Sequence, residues 1–155
     1  MSQFDDLALK QALSELRDVN KEKRRTAVMK LGMMGGDEAV RSLITIVRNQ
    51  NEDLIVRGRA ALMLGKLGDD RAVDPLIEAL HSRGYQARVN AAQSLGKLGD
   101  PRAIPSLVKI VRTETDTVRD TAIQSLRQLG FDPDAPPDAA ADAVPEAFRK
   151  ALSDA

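Results

Sequence analysis

Cysteine and tryptophan are absent from these 155 residues, and aromatic side chains make up only 3% of them. Without thiols there is no disulfide framework and no thiolate chemistry, which suits a reducing compartment. So few rings leave little to stack on nucleic-acid bases. The 23 basic and 23 acidic residues cancel, so no global positive field favours a phosphate backbone, and the sequence argues against nucleic acid as a partner. No stretch reaches the roughly 18–20 apolar residues needed to cross a bilayer, and polar and acidic residues follow Met1 where a signal peptide would be apolar. These absences set the expectation of a cytoplasmic protein with no membrane partner. Histidine occurs once, at His81. There is no Ser/His/Asp grouping, no glycine loop with a following lysine and no carboxylate or histidine set at metal spacing, so the sequence predicts no enzyme, no cofactor and no metal.

What is present is repetition. Leu31-Gly32-Met33-Met34-Gly35, Leu64-Gly65-Lys66-Leu67-Gly68, Leu95-Gly96-Lys97-Leu98-Gly99 and Leu126-Arg127-Gln128-Leu129-Gly130 begin 33, 31 and 31 residues apart. Self-similarity at that period marks a stack of small supersecondary units. An Arg lies seven residues before each anchoring Leu (Arg24, Arg57, Arg88, Arg119), and an Ala lies four before it (Ala27, Ala60, Ala91, Ala122). After the phrase, Leu43, Ile44 and Val47, then Leu76, Ile77 and Leu80, then Leu107, Val108 and Val111 recur at spacings of three and four, the mark of an amphipathic helix. Each unit therefore reads as a helix A, a short turn and a helix B. Gly68-Asp69 and Gly99-Asp100 supply a permissive glycine and then an Asp able to cap helix B. Pro75, Pro101 and Pro105 fall in or just before the first turn of helix B, where a missing N–H costs little.

Both ends continue the pattern. Residues 4–18, with Leu9, Leu13 and Leu16 on one face, read as a lone B helix that caps the array. Ala143-Val144-Pro145-Glu146-Ala147-Phe148 parallels Ala103-Ile104-Pro105-Ser106-Leu107-Val108, so a fourth B helix is expected there, displaced by an acidic, Pro-rich surface loop over 131–142. From residue 131 onward there are six acids and two bases, which leaves 21 bases and 17 acids before it. The loop is thus expected to be drawn to the mildly basic body. The whole is expected to be one all-α domain over 1–155: a cap helix at 4–18, then repeats at about 21–49, 53–82, 85–113 and 116–153.

Val56-Arg57…Leu64-Gly65-Lys66-Leu67-Gly68-Asp69…Ala72-Val73-Asp74-Pro75-Leu76 resembles the HEAT repeat, in the short variety of phycobilisome-lyase-type proteins, and the likeness spans about residues 5–153. The resemblance implies a right-handed α-solenoid of one cap helix and four helix pairs, with the B helices lining its concave side. It also implies a non-catalytic scaffold or adaptor that binds protein. Bilin lyases share the repeat, so an accessory or lyase-like factor for a chromophore- or cofactor-carrying protein is the alternative. Deoxyhypusine hydroxylase, a HEAT-type di-iron enzyme, uses His-Glu pairs, whereas here His81 is followed by Ser82. HEAT-like DNA glycosylases are disfavoured by the neutral charge and the scarcity of rings.

If the B helices face a partner, three registers matter. One holds Lys10, Arg41, Asp74, Pro105 and Pro145; the next holds Ser14, Thr45, Glu78, Lys109 and Arg149; the third holds Arg17, Arg48, His81, Arg112 and Leu152. With layers roughly 10 Å apart, the third row predicts a cationic stripe about 30 Å long, suited to an acidic or helical protein segment. Solvated charges complementing helix C-termini would give the same row. From these rows the partner-binding residues are expected to be Lys10, Arg17, Arg41, Thr45, Arg48, Asp74, Glu78, His81, Lys109 and Arg112, on a monomer or weak oligomer. The Arg24/Arg57/Arg88/Arg119 ladder belongs to the repeat's own register and is expected to be structural, pairing with acids such as Asp53 or Asp116 and with helix-end carbonyls. Met33 and Met34 are expected to be exposed, and Tyr85 to lie in a turn over 82–86.

Overall fold

The structure, a computed structural model, describes residues 3–135, whose regular elements are all helices joined by short turns, with no strand among them. Helix α1 (Gln3–Glu15) stands alone. Three hairpins follow: α2 (Lys21–Met34) with α3 (Asp37–Arg48), α4 (Leu54–Leu67) with α5 (Val73–Ala79), and α6 (Tyr85–Leu98) with α7 (Ile104–Thr113). Helix α8 (Asp116–Gln128) is the A helix of a fourth unit. The B helix expected at 143–153 and the loop residues 136–142 lie outside the described residues, as do Pro145, Arg149 and Leu152 of the three registers. Tyr85 is the first residue of α6 rather than part of a turn.

The turn chemistry follows the sequence. Gly68 and Gly99 end α4 and α6 in the left-handed conformation, at φ 69° and 70°, which a side chain rarely adopts. Asp69 and Asp100 then accept from the backbone N–H of Arg71 and Arg102, opening one turn of 3-10 helix before α5 and α7.

The array is held by its A helices, which lie closely against one another: α2 on α4, α4 on α6, α6 on α8. Glycine makes the approach possible. A Cβ on Gly65 would meet the Cβ of Ser94 at 2.6 Å, and one on Gly96 would meet the Cβ of Ser125 at 2.9 Å. Gly32 takes Met63 in the same way. These three glycines are therefore spacers between helices, not helix-end devices. At Gly65 and Gly96 the residue that enters the notch also fastens it: Ser94 Oγ donates to the Ala61 carbonyl at 2.7 Å and Ser125 Oγ to the Ala92 carbonyl at 2.6 Å. Asn90 Nδ2 adds a bond to the Gly58 carbonyl at 2.8 Å. In the fourth unit the notch position is Arg127, exposed and paired with Asp134 at 3.2 Å. An A helix cannot dock as closely there.

The arginine ladder joins each A helix to the end of the preceding B helix. Arg57 donates to the Val47 carbonyl at 3.1 Å, Arg88 to Ser82 O at 3.1 Å and Arg119 to Val111 O at 3.3 Å. Arg24 reaches Asp18 O at 2.8 Å. The helix-end carbonyls are as anticipated, but the acids are different ones. Glu52 takes Arg24 at 3.0 Å and Glu114 lies 3.8 Å from Arg88, while Asp53 belongs to Arg25. Asp53 already caps α4 through the Val56 N–H, so its carboxylate faces the neighbouring helix rather than the ladder.

Candidate partner-binding face

Eight of the ten residues singled out in the sequence lie on α1, α3, α5 and α7, Arg17 and His81 follow the ends of α1 and α5, and every one of the ten is exposed. Amphipathicity puts them there. In α3, Ala39, Val40, Leu43, Ile46 and Val47 are buried, so Arg41, Thr45 and Arg48 take the opposite face. In α5, Val73, Leu76 and Ala79 go inward, leaving Asp74 and Glu78 outside.

The face is not a continuous cationic stripe. Glu78 reaches back one layer and accepts both Nε and Nη2 of Arg48 at 3.1 Å, which raises the Arg48 pKa further above its ordinary value. Arg41 pairs with Asp37 at 2.9 Å within α3. Arg71 bridges Asp37 and Asp69 at 2.7 and 2.8 Å, and its hydrogen bond holds the Asp37 carboxyl below the usual carboxylate range. Arg102 likewise bridges Asp74 and Asp100, at 3.5 and 3.0 Å. The centre of the face is thus laced by exposed ion pairs between successive layers, each worth little on its own. Lys10 and Arg17 at one end, and Lys109 and Arg112 at the other, make no ion pair among the described residues. Thr45 spends its hydroxyl on the Arg41 carbonyl at 3.0 Å.

The same face is hollow at the α1 end. A cavity of about 530 Å³ opens between α1 and α3, lined by Leu13, Leu16, Arg17, Arg41, Thr45 and Ile46 among others. A second, of about 520 Å³, lies between α1 and the α2–α3 turn, lined by Leu9, Met34, Asp37 and Arg41 among others. Phe4 and Leu7 of α1 and Met33 of α2 are largely exposed at this end, at 83%, 64% and 84%. The expected exposure of Met33 and Met34 holds. Arg17, Arg41 and Thr45 are therefore brought to one groove, whereas His81, Lys109 and Arg112 stand layers away from it.

Asp37, Glu38, Arg71 and Arg102 were not singled out in the sequence, yet they complete the electrostatics of this face. For Arg71 and Arg102 the signal was the recurrence of Asp69-x-Arg71 and Asp100-x-Arg102 at a 31-residue interval.

Known proteins agree with this architecture. The family model of HEAT repeats matches residues 8–87, 55–127 and 73–153. The chain belongs to the HEAT-repeat family. Among solved structures it is similar to the complex of CpcE and CpcF of phycocyanin lyase from Nostoc sp. PCC7120, at 26% identity and a TM-score of 0.69. That likeness covers 84% of this HEAT-repeat chain and 55% of the lyase chain, so the chain spans about half the length of that relative. Two engineered proteins share the fold, at TM-scores of 0.58 and 0.55 and identities of 20% and 17%. They cover 87% and 95% of this chain, which in turn covers 67% and 51% of theirs. No curated protein matches the chain. No helix among the described residues is long and apolar enough to cross a membrane.

Proposed function

We propose that this HEAT-repeat chain is a non-catalytic adaptor that holds a protein partner across the face formed by α1, α3, α5 and α7. One observation carries the reading: the groove between α1 and α3, where apolar Leu13, Leu16 and Ile46 lie beside Arg17, which makes no ion pair among the described residues. The lining also holds Arg41 and two carboxylates, Glu38 and Glu52, so an apolar floor with a rim of both charges fits an amphipathic helical segment. Lys10, Lys109 and Arg112 would extend the rim, and the salt-bridged middle around Arg48, Asp74 and Glu78 would set register rather than strength, with His81 beside it. Arg127 at the notch of the last A helix favours a monomer, because it denies a second copy the close glycine-based approach used inside the array.

A second reading is favoured by the likeness to a phycocyanin lyase complex: an accessory or lyase-like factor acting on a chromophore-carrying protein. Affinity capture separates the two. The immobilised chain is expected to retain a partner from lysate of its source cells, and the Arg17→Glu/Arg112→Glu variant to release it. A partner held equally by both forms would remove the face from the account. A pigment eluting with the partner would favour the second reading.

A further inference from the structure

The layer formed by α1 is only partly filled. Leu9 and Leu16 hold the register positions of Val40 and Val47 in the next layer and of Val73 and Leu80 in the one after. Those four are buried, whereas Leu9, Leu13 and Leu16 are half-buried. The cause is spacing: α3 and α5 lie against each other, while α1 rests on α2 and makes no comparable contact with α3. The cavities of about 530 and 520 Å³ occupy the gap, and Glu38 and Arg41 line both, so they meet as one slot. From Asp5 to Leu16 the slot follows α1 for about 17 Å, or about three helical turns.

The slot has a direction. Asp5 lines it with Glu38 at one end, and Arg17 lines it with Asn49 at the other. The helices α1 and α3 therefore run the same way, with both N-termini at the Glu38 end. The two ends also differ in charge. Arg17 is free to act as the cation of its end, because Glu52 beside it is taken by Arg24 at 3.0 Å. At the opposite end Glu38 makes no ion pair among the described residues, while Asp37 is held by Arg41 and Arg71. A helix whose charges complement its own dipole is acidic in its first turn and basic in its last. Laid antiparallel to α1 and α3, such a helix brings its basic C-terminal turn to Glu38 and its acidic N-terminal turn to Arg17. Laid parallel, it would set like charges together at both ends.

We propose that the slot takes one amphipathic helix of the partner, about three turns long and antiparallel to α1 and α3. Its apolar stripe lies on Leu9, Leu13, Leu16 and Ile46, its acidic first turn at Arg17 and its basic last turn at Glu38. That the helix belongs to a protein partner rests on the adaptor reading; its direction and charge order do not.

The test titrates the folded chain with an end-blocked amphipathic peptide of about 15 residues, with glutamates in its first turn and lysines in its last, and with the same peptide after exchange of those charges. Backbone amides are followed by NMR. The native chain is expected to bind the Glu-first peptide roughly fivefold more tightly. Exchanging the ends of the slot, as Arg17→Glu/Glu38→Lys at two exposed positions, should move that preference at least roughly tenfold towards the Lys-first peptide. The peptides' own helicity is common to both titrations and cancels. A nitroxide on the first residue of the Glu-first peptide should broaden the amides of Arg17 and Asn49 and spare those of Asp6 and Glu38. Failure of both peptides to bind, a preference unmoved by the exchange, or broadening at Glu38 instead overturns the proposal. Capture of a partner that Arg17→Glu/Arg112→Glu releases, together with any of these failures, would leave the adaptor reading standing and remove only the slot. Peptide binding as expected with no partner captured would do the reverse.

Discussion

Gly65→Ala is the most discriminating substitution in the array, because two physical effects predict opposite signs for it. In an unobstructed helix interior, replacing glycine by alanine stabilises by about 1 kcal/mol through backbone entropy. Here the new Cβ would stand 2.6 Å from the Cβ of Ser94 and 2.8 Å from its backbone Cα. A backbone atom of α6 cannot step aside, so α4 and α6 must separate. Overpacking of this kind costs about 1–3 kcal/mol. Separation also strains the 2.7 Å bond from Ser94 Oγ to the Ala61 carbonyl, and a buried hydroxyl left without its partner costs a further 1–3 kcal/mol or so. Less the propensity gain, the net loss is about 1–5 kcal/mol, or about 2–20 °C in Tm for a chain of this size. Gly58→Ala, in the same helix, is the control. Its nearest neighbours would be 3.6 Å from the new Cβ, so it should be neutral or stabilising by up to about 1 kcal/mol. Thermal and urea unfolding followed by far-UV circular dichroism read both variants. A Gly65→Ala chain as stable as the native one would refute the notch as a spacer.

Other perturbations test the remaining contacts. Asp53→Ala removes the cap on α4 and the bidentate pair with Arg25 at 2.9 and 3.0 Å, and should cost about 1–3 kcal/mol in urea titrations. The Arg25 hydrogen bond lowers the Asp53 pKa to about 2. A carboxyl depressed in the folded state stabilises above its unfolded pKa and loses that contribution as pH falls. Asp37, Asp69 and Asp100 shift the same way through Arg71 and Arg102, so the urea midpoint should drop from about pH 4 towards pH 2, less steeply in Asp53→Asn. A flat acid limb would contradict this. Arg48→Ala should change stability by less than about 1 kcal/mol, since its bond to Glu78 is exposed; a larger loss would mean that the pair is structural.

The order of helices was legible because one phrase recurs with its capping Asp and its proline, and local chemistry fixes local structure. The notch role of Gly32, Gly65 and Gly96 was not, because a glycine inside a helix announces itself only when the helix packed against it is known. The pairing of Arg48 with Glu78 escaped for a related reason. The registers align residues straight across layers, whereas long side chains reach diagonally into the next row.

The central claim is that a partner lies on the outer side of α1, α3, α5 and α7. Lysine acylation of the captured complex, read by mass spectrometry, measures this directly. Lys10 and Lys109 lie on that face, while Lys66 and Lys97 end the A helices α4 and α6. The account predicts that the partner shields Lys10 and Lys109 and leaves Lys66 and Lys97 as reactive as in the free chain; shielding of Lys66 and Lys97 instead would contradict it.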